Sequence, residues 1–446
     1  MKKALALFLA LSLLFAATVS ATNARVESMG KSATYFMDDV SIYDNPANIN
    51  IYPNFLIGEP GHMTVYQDSG TGFKNEDPAE PYGGGILSFS LNRDKNAETR
   101  YPMVTVGAML NHKNELVDVL MAAARANGHI IPRPVVPNSD FFLGYTLPNG
   151  TMLGGHLYAA RQNVSVKGMN MSESFSDLQS AGITTGNNDT DRVIDSLAAW
   201  YGETEFQWTS QIVRGDIGVN MPLTQNVDME LSGGLALLQY SGPDFGTLDV
   251  RRYYTIPSYD ANDFSWFLNA RFFATLVGLN GELVPVFKYK NISVRDYNVN
   301  EFEGGLGANV TLDRGFFWIG SSFIYNGTEA PVAGLTNQTR STTSISIPLS
   351  FGIERNVVWE WLVLRVGFRK VIYGTTTNQA EMSSLYSNPE ADMTVSDHVG
   401  GGIGINLEEK LKIDAVLAED ILYKWGNLVS GNSHHILTRI SATYSF

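Results

Sequence analysis

The last eleven residues of the chain read Ile436-Leu-Thr-Arg-Ile-Ser-Ala-Thr-Tyr-Ser-Phe446. Neighbouring side chains of a β-strand point to opposite faces, so every second residue of this stretch shares a face. One face is apolar and carries the rings of Tyr444 and Phe446, whereas the other carries Arg439 and hydroxyl groups. Aromatic rings near a strand end are typical of membrane barrels, where they form a belt at the bilayer interface. The stretch therefore predicts a strand that crosses a membrane.

Residues 1–21 have the order of a secretory leader. Two lysines follow Met1, a long apolar run is interrupted only by Ser12, and small residues end it at Ala21. This order predicts a cleaved signal peptide, because the apolar run is too short for a membrane-spanning helix. The chain has no Cys, which excludes disulfides, a lipid anchor on Cys, thiolate metal sites and a Cys nucleophile.

The composition favours a β-barrel over other membrane proteins. Charged residues make up only 17%, while the chain has 42 Gly, 23 Phe and 20 Tyr. After the leader we find no apolar run of about 18 residues, so the sequence does not predict membrane-spanning helices. A closed barrel needs only every second residue of each strand to be apolar, and its outer face would contact outer-membrane lipids. The net charge of −14 argues against nucleic acid as a partner.

Residues 22–53 do not alternate and are predicted to form a separate N-terminal segment. They contain Ala24-Arg-Val-Glu-Ser-Met-Gly30, then the acidic pair Asp38-Asp39, then Asn45-Pro46-Ala47. This order resembles the N-terminal pattern of the FadL-type hydrophobic-compound channels and the related PorV-type barrels. In those families a Gly-containing segment precedes an acidic pair and an Asn-Pro-Ala turn before the first strand. The alternative is that Asn45-Pro46 is an ordinary turn.

The sequence departs from the family pattern at Asn48, where Gly commonly follows Ala. The resemblance implies that residues 22–53 lie in the periplasm or enter the barrel as a plug. The gate or plug candidates are Arg25, Asp38, Asp39, Asn45, Pro46 and Ala47.

From residue 54 to residue 446 the pattern is one of alternating strands. Many are joined by tight polar turns such as Pro148-Asn149-Gly150, the strongest short-range hairpin signal. Longer links, for example 113–139 and 165–205, separate these pairs, and long loops on one side are typical of outer-membrane barrels. The predicted strands are 54–67, 82–93, 140–147, 151–164, 206–221, 227–240, 264–277, 282–294, 301–312, 316–325, 344–353, 359–373, 399–407, 411–422 and 436–446.

The sequence therefore predicts an all-β fold, a transmembrane antiparallel β-barrel of about 14–16 strands with short helices in its extracellular loops. Both counts are even, as they must be if both ends of the barrel are periplasmic. The last strand should then close the barrel by pairing with residues 54–67.

Two long loops contain segments with apolar residues at helical spacing, 115–125 and 191–201. Asn114 is a plausible N-cap of the first. The helices would pack on each other or on the barrel rim, or they would form a capture groove for hydrophobic molecules, as the FadL resemblance implies. The hydrophobic capture candidates are Leu116, Val119, Leu120, Val193, Leu197 and Trp200.

Several strands place their charges on the face opposite the apolar one, which indicates an aqueous or salt-bridged lumen. In a porin such charges would tune ion selectivity. The alternative is a set of salt bridges that fills a closed barrel. The lumen charge candidates are Asp228, Glu230, Arg271, Lys288, Lys290, Arg365, Arg369 and Asp414.

Enzyme chemistry finds little support in the sequence. None of the seven His lies in a Gly-x-Ser-x-Gly or His-Glu-x-x-His motif, so we predict no catalytic residue, metal site or cofactor. His156 alternates into the predicted lumen and could pair with a Ser there.

The resemblance implies an outer-membrane protein of a Gram-negative-type bacterium for passive uptake of hydrophobic or amphipathic small molecules. The alternatives are a PorV-like scaffold for secreted or surface proteins, or a general porin. In outer-membrane barrels the assembly machinery recognises the terminal Phe, here Phe446.

Overall fold

Sixteen antiparallel strands close into one barrel in a computed structural model of the chain. The structure describes residues 23–60, 81–91, 102–112, 114–127, 129, 131–134, 136–167, 205–243, 258–331, 339–357, 359–380, 397–408, 410–417 and 437–446. The predicted leader 1–21 and the candidates Val193, Leu197 and Trp200 lie outside these residues. Among the described residues, no helix is both long and apolar enough to cross a membrane.

The strands follow the chain order around the barrel, each paired with the next. Their bounds are β1 Phe55–Glu59, β2 Tyr82–Ser90, β3 Met103–Leu110, β4 Val136–Thr146, β5 Met152–Lys167, β6 Glu205–Thr224, β7 Val227–Pro243, β8 Ser258–Thr275, β9 Gly281–Val294, β10 Tyr297–Leu312, β11 Gly315–Pro331, β12 Thr339–Asn356, β13 Leu362–Ala380, β14 His398–Leu407, β15 Leu411–Leu417 and β16 Leu437–Ser445.

The first and last strands close the barrel, as predicted. Phe55 lies opposite Ser445 and Gly58 lies opposite Ala442 in an antiparallel pair. The start of β1 and the end of β16 therefore lie at the same rim of the barrel. The short turns between β4 and β5, β6 and β7, and β10 and β11 lie at this rim as well. We call this rim the turn end and the opposite rim the loop end.

The predicted strand count was right within its range, but one strand was missed. β3 has small residues at Gly107 and Ala108, so its alternation is weak, and only its hydrogen bonds to β2 and β4 reveal it as a strand. A second difference lies at the loop end, where β9 and β10 are joined by the two residues Arg295 and Asp296. Arg295 has a φ of 53°, which a tight hairpin turn requires.

The outer face of the barrel is apolar and exposed, whereas the inner face is polar and covered. On β7, Leu231 and Leu235 are 40% and 63% exposed, but Glu230 and Ser232, the neighbours of Leu231 in the sequence, are buried. This alternation places apolar side chains on the hydrocarbon of a bilayer and polar ones in the lumen. The chain is thus a transmembrane β-barrel.

Two segments cover the inner face. The first is the N-terminal segment, with helix α1 (Asn23–Ser28) and 3-10 helices at Asp39–Ile42 and Pro46–Ile51. The second is helix α2 (Glu115–Ala126), which follows β3. Buried apolar side chains of both segments pack on inward-facing wall residues, so the core of this barrel lies in its lumen.

Candidate functional site

The N-terminal segment follows the inner wall in the half of the barrel nearer the turn end. Helix α1 packs on β13 to β16, and Pro46–Ile51 packs on β3 to β6. Glycines line its path, because the two backbones approach too closely for a side chain. A Cβ atom at Gly154 would lie 2.2 Å from Ala47 N, and one at Gly307 would lie 2.3 Å from a ring carbon of Tyr35. Part of the high glycine content is thereby explained.

The Asn-Pro-Ala turn attaches this segment to the wall. The Asn45 Oδ1 atom accepts a hydrogen bond of 3.1 Å from Ala47 N, and its Nδ2 atom donates one of 3.1 Å to Val219 O on β6. Pro46 occupies the first turn of the 3-10 helix, where its missing N–H costs nothing. All three residues of the turn are buried. Asn45 therefore acts both as an N-cap and as an anchor.

A chain of alternating charges anchors α1. Arg25 pairs with Asp38 in the same segment, and its Nε atom lies 2.8 Å from Glu354 Oε2 on β12. The Nε atom of Arg365 also lies 2.5 Å from Glu354 Oε2, and its Nη1 atom lies 2.5 Å from Asp414 Oδ1. Burial would lower the pKa of Arg25, but Glu354 and Asp38 outweigh it and raise that pKa well above its usual value. The neighbouring Asp39 is buried at the start of its 3-10 helix.

The middle of the segment is anchored by two further wall cations. The side chain of Arg271 is fully buried, its Nη2 atom lies 2.6 Å from Glu230 Oε2, and its Nη1 atom donates to Ala33 O at 3.2 Å. Lys288 Nζ lies 2.8 Å from Asp44 Oδ2. Burial would raise the pKa of Asp44, but the positive charges of Lys288 and Arg271 outweigh it and lower that pKa.

Helix α2 fills the lumen nearer the loop end. Asn114 caps it by accepting a hydrogen bond of 3.0 Å from Leu116 N. Leu116 and Leu120 are fully buried against wall side chains of β5 to β10, and Val119 is partly buried there. The apolar face of α2 is therefore covered by the inner wall. A capture groove on this face is closed in this conformation, so capture at these residues stays a prediction.

Helix α2 is also held by an ion pair with β9. The Lys290 Nζ atom lies 2.8 Å from Glu115 Oε2 and 3.2 Å from Glu301 Oε2 on β10. Burial would raise the pKa of Glu115, but Lys290 outweighs it and lowers that pKa. Lys288 and Lys290 are two residues apart and share a face of β9. Each inserted segment thus contributes one carboxylate, which pairs with one of these two wall lysines.

A chamber of about 360 Å³ lies between the two inserted segments. Its walls combine aromatic rings, such as Tyr43 and Phe267, with charged groups, most of which are paired to one another. The Arg214 Nε atom lies 2.9 Å from Asp216 Oδ2, and its guanidinium group lies 4.2 Å from the ring centre of Phe267. The charged lining residues are Asp44, Glu115, Arg214, Asp216, Lys288, Lys290, Glu301 and Glu303.

Histidine side chains form one wall of the chamber. His156 lies between Asp140 and Asp216, with Nε2 to Oδ1 and Nδ1 to Oδ2 distances of 2.8 and 2.7 Å. His156 therefore pairs with two aspartates and not with a Ser. The ring of His112 stacks on Tyr43 of the N-terminal segment, with ring centres 3.5 Å apart.

The remaining lumen candidates have other surroundings. Asp228 is exposed near the turn end of β7. Arg369 is partly buried, and its charge interacts with Glu303 and with Tyr35 of the N-terminal segment. Glu230, Arg271, Lys288, Lys290, Arg365 and Asp414 all lie in ion pairs.

These ion pairs are the arrangement that the salt-bridge alternative describes. Sequence reasoning missed Arg214, Asp216 and Glu354, although all three alternate onto the inner face. In the described part of the chain, no group of three or more His, Asp or Glu side chains could hold a metal ion.

No protein-family model matches the chain, and no curated protein matches it. Solved structures similar to it include a FadL homologue of Pseudomonas aeruginosa, with 11% identity, a TM-score of 0.40 and coverage of 97% of this chain and 100% of that chain.

The P. putida toluene transporter TodX has 9% identity, a TM-score of 0.35 and coverage of 94% and 97%. The CymD monoaromatic hydrocarbon channel has 10% identity, a TM-score of 0.29 and coverage of 94% and 96%. These structures include FadL-type channels, the family that the N-terminal residues resemble.

Proposed function

We propose that this chain is an outer-membrane channel of a Gram-negative-type bacterium that passes amphipathic small molecules passively. The turn end faces the periplasm and the loop end faces the outside. The chamber between the two inserted segments is the observation that carries the proposal. A compartment between two inserted segments, inside a barrel, has the form of a transport path. Its volume of about 360 Å³ suits a small molecule.

The lining of the chamber favours amphipathic substrates over pure hydrocarbons. A pure hydrocarbon would displace water from these charged groups. The hydrogen bonds of that water would not be replaced, which costs free energy. A molecule with one polar and one apolar part can contact Lys288 and Lys290 and also the rings of Phe267 and Tyr43. Its polar part would replace the carboxylates of Asp44 and Glu115 when the inserted segments move.

A PorV-like scaffold remains the second candidate, because buried ion pairs and aromatic rings fill much of the lumen. A general porin is less favoured, since residues 23–52 and 115–126 both occupy the space that an open water path needs. In either case the apolar outer band would contact lipid. We also propose that the exposed ring of Phe446 is the contact for the assembly machinery.

The proposal is tested by fixing the N-terminal segment to the wall. The chain has no Cys, so Asp44→Cys with Lys288→Cys gives a unique pair for a short, reducible thiol cross-linker. We expect cross-linked protein in liposomes to block swelling with hexanoate, and reduction to restore it. The single variant Lys288→Cys, given the same treatment, is the matched control.

Other outcomes point to the alternatives. Equal swelling with hexanoate and glucose would indicate a general porin. Liposomes that stay tight in every state, even after deletion of residues 24–48, would contradict the channel, and a stable partner in a pull-down would then support the scaffold.

A further inference from the structure

A second cavity lies at the turn end, between the N-terminal segment and β12 to β16. Its volume is about 410 Å³, and it is lined by Arg25 and Asp38 of the segment and by Glu354, Arg365 and Asp414 of the wall. These are the five side chains of the alternating charge chain. The cavity is separate from the chamber and shares none of its lining residues.

The charge chain ends in a carboxylate on each side, and neither carboxylate is fully satisfied. Asp38 uses one oxygen for Arg25, and Asp414 uses one for Arg365. The other oxygens, Asp38 Oδ1 and Asp414 Oδ2, have no hydrogen-bond partner among the described residues. Their side chains are 0% and 2% exposed. A buried acceptor without a donor is costly, so such an atom indicates a missing partner.

A third acceptor lies in the same wall. The Asn406 Oδ1 atom of β14 is buried and also has no partner among the described residues. The chain of alternating charges contains three carboxylates but only two guanidinium groups. One further carboxylate, Asp39, and one amine, Lys412, also line the cavity, and their two charges cancel in the sum. The cavity therefore has unused acceptors and an excess of one negative charge.

This combination defines the chemistry of a ligand. The ligand must carry positive charge, and it must donate hydrogen bonds in several directions. A bare metal ion does not fit, since the described residues hold no cluster that could ligate one. A protonated primary amine has three N–H donors and a compact positive charge. The volume leaves room for a short carbon chain behind it.

We propose that this cavity binds a small organic amine in its protonated form, which donates hydrogen bonds to Asp38, Asp414 and Asn406. Asp38 belongs to the N-terminal segment and the other two belong to the wall. The bound amine therefore links the segment to the wall and stabilises it in place. Binding does not depend on the chamber or on transport, so it can be measured even if the proposed channel function is wrong.

The test is isothermal titration of the full chain in detergent with 1,4-diaminobutane as the probe, at constant ionic strength. Its controls are 1,4-butanediol, of the same length but uncharged, and Mg²⁺. We expect saturable binding of one diamine and no saturable binding of either control. Asp38→Asn and Asp414→Asn should each weaken the diamine affinity at least tenfold. Asp313→Asn, which removes an exposed carboxylate at the same rim, should leave it unchanged.

Each variant is first checked for the heat-dependent gel shift of a folded barrel. If an aspartate variant does not fold, Asn406→Ala keeps all the charges and should still weaken binding several-fold. Absence of saturable diamine binding to the wild type would overturn the proposal, and this is the result if water alone fills the cavity. Equal binding of 1,4-butanediol or Mg²⁺, or unchanged affinity in the folded Asp414→Asn variant, would overturn it as well.

Discussion

The Nζ atom of Lys288 lies 2.8 Å from Oδ2 of Asp44, so a lysine of the barrel wall holds the N-terminal segment. Two residues further along β9, Lys290 holds Glu115 of helix α2 at the same distance. One strand therefore anchors both segments that lie in the lumen. If the barrel is a channel, these two ion pairs contribute to the free energy that keeps it closed.

Asp44→Asn should make the barrel leakier. The ion pair is partly exposed, so its loss should weaken closure by about 1 kcal/mol, or roughly a fivefold rise in open probability. Single-channel recording in a planar bilayer measures this. Asp313→Asn, in an exposed turn at the same end, should behave as the wild type. An unchanged open probability in Asp44→Asn would show that this pair does not hold the segment closed.

Arg271→Met should destabilise the protein strongly. The variant leaves the buried carboxylate of Glu230 unpaired and removes the hydrogen bonds to Ala33 O and Thr34 O. Removal of one partner from a buried ion pair typically costs about 3–5 kcal/mol. Urea unfolding in detergent, followed by Trp fluorescence, measures the change. Lys370→Met, at the exposed pair with Asp397, is the control and should unfold as the wild type does. Equal stability of the two variants would contradict the prediction.

Gly154→Ala should displace the Asn-Pro-Ala turn. The new Cβ atom would lie 2.2 Å from Ala47 N, and backbone atoms cannot move aside as a flexible side chain can. Such overpacking costs about 1–3 kcal/mol. Faster amide hydrogen exchange at residues 45–49 is the expected result. The neighbouring Gly155→Ala has nothing within 4 Å of its Cβ atom and should leave exchange unchanged. If both variants exchange alike, the close approach at Gly154 is not what positions the turn.

The stability of the barrel should fall as the pH drops below 6.5, partly through His112. Burial lowers the pKa of His112 from 6.5 to about 4, and Asp140 offsets this only in part. Between these two pH values His112 is protonated in the unfolded chain but neutral in the folded chain. The contribution of His112 to the free energy of unfolding is complete above pH 6.5 and is lost as the pH falls to about 4. A shift of this size corresponds to about 3 kcal/mol.

The variant His112→Gln isolates this effect, because every other titrating group stays in place. Urea unfolding between pH 7.5 and pH 4 should give a flatter pH dependence for the variant than for the wild type. Parallel curves would mean that His112 has the same pKa in the folded and unfolded chains.

Much of the fold could be predicted from the sequence, because a barrel strand repeats with a period of two and ends in a recognisable turn. Alternation identified the final strand and its pairing with the first one, now seen at Phe55 and Ser445. It also placed Glu230, Arg271 and Asp414 on the inner face. It failed at β3, where small residues leave little contrast between the faces. It also gave no indication that β9 and β10 meet in a turn of two residues.

The sequence by itself determined the barrel, its closure and the face on which each charge lies, since these follow from local periodicity. Only the tertiary structure decided which charges meet. Arg25 reaches Glu354 across 329 positions, and Asp44 reaches Lys288 across 244. Such pairs depend on the path of the N-terminal segment, whose sequence does not alternate, and on the radius of the barrel. The chamber and the turn-end cavity exist only between those elements, which no local pattern relates to each other.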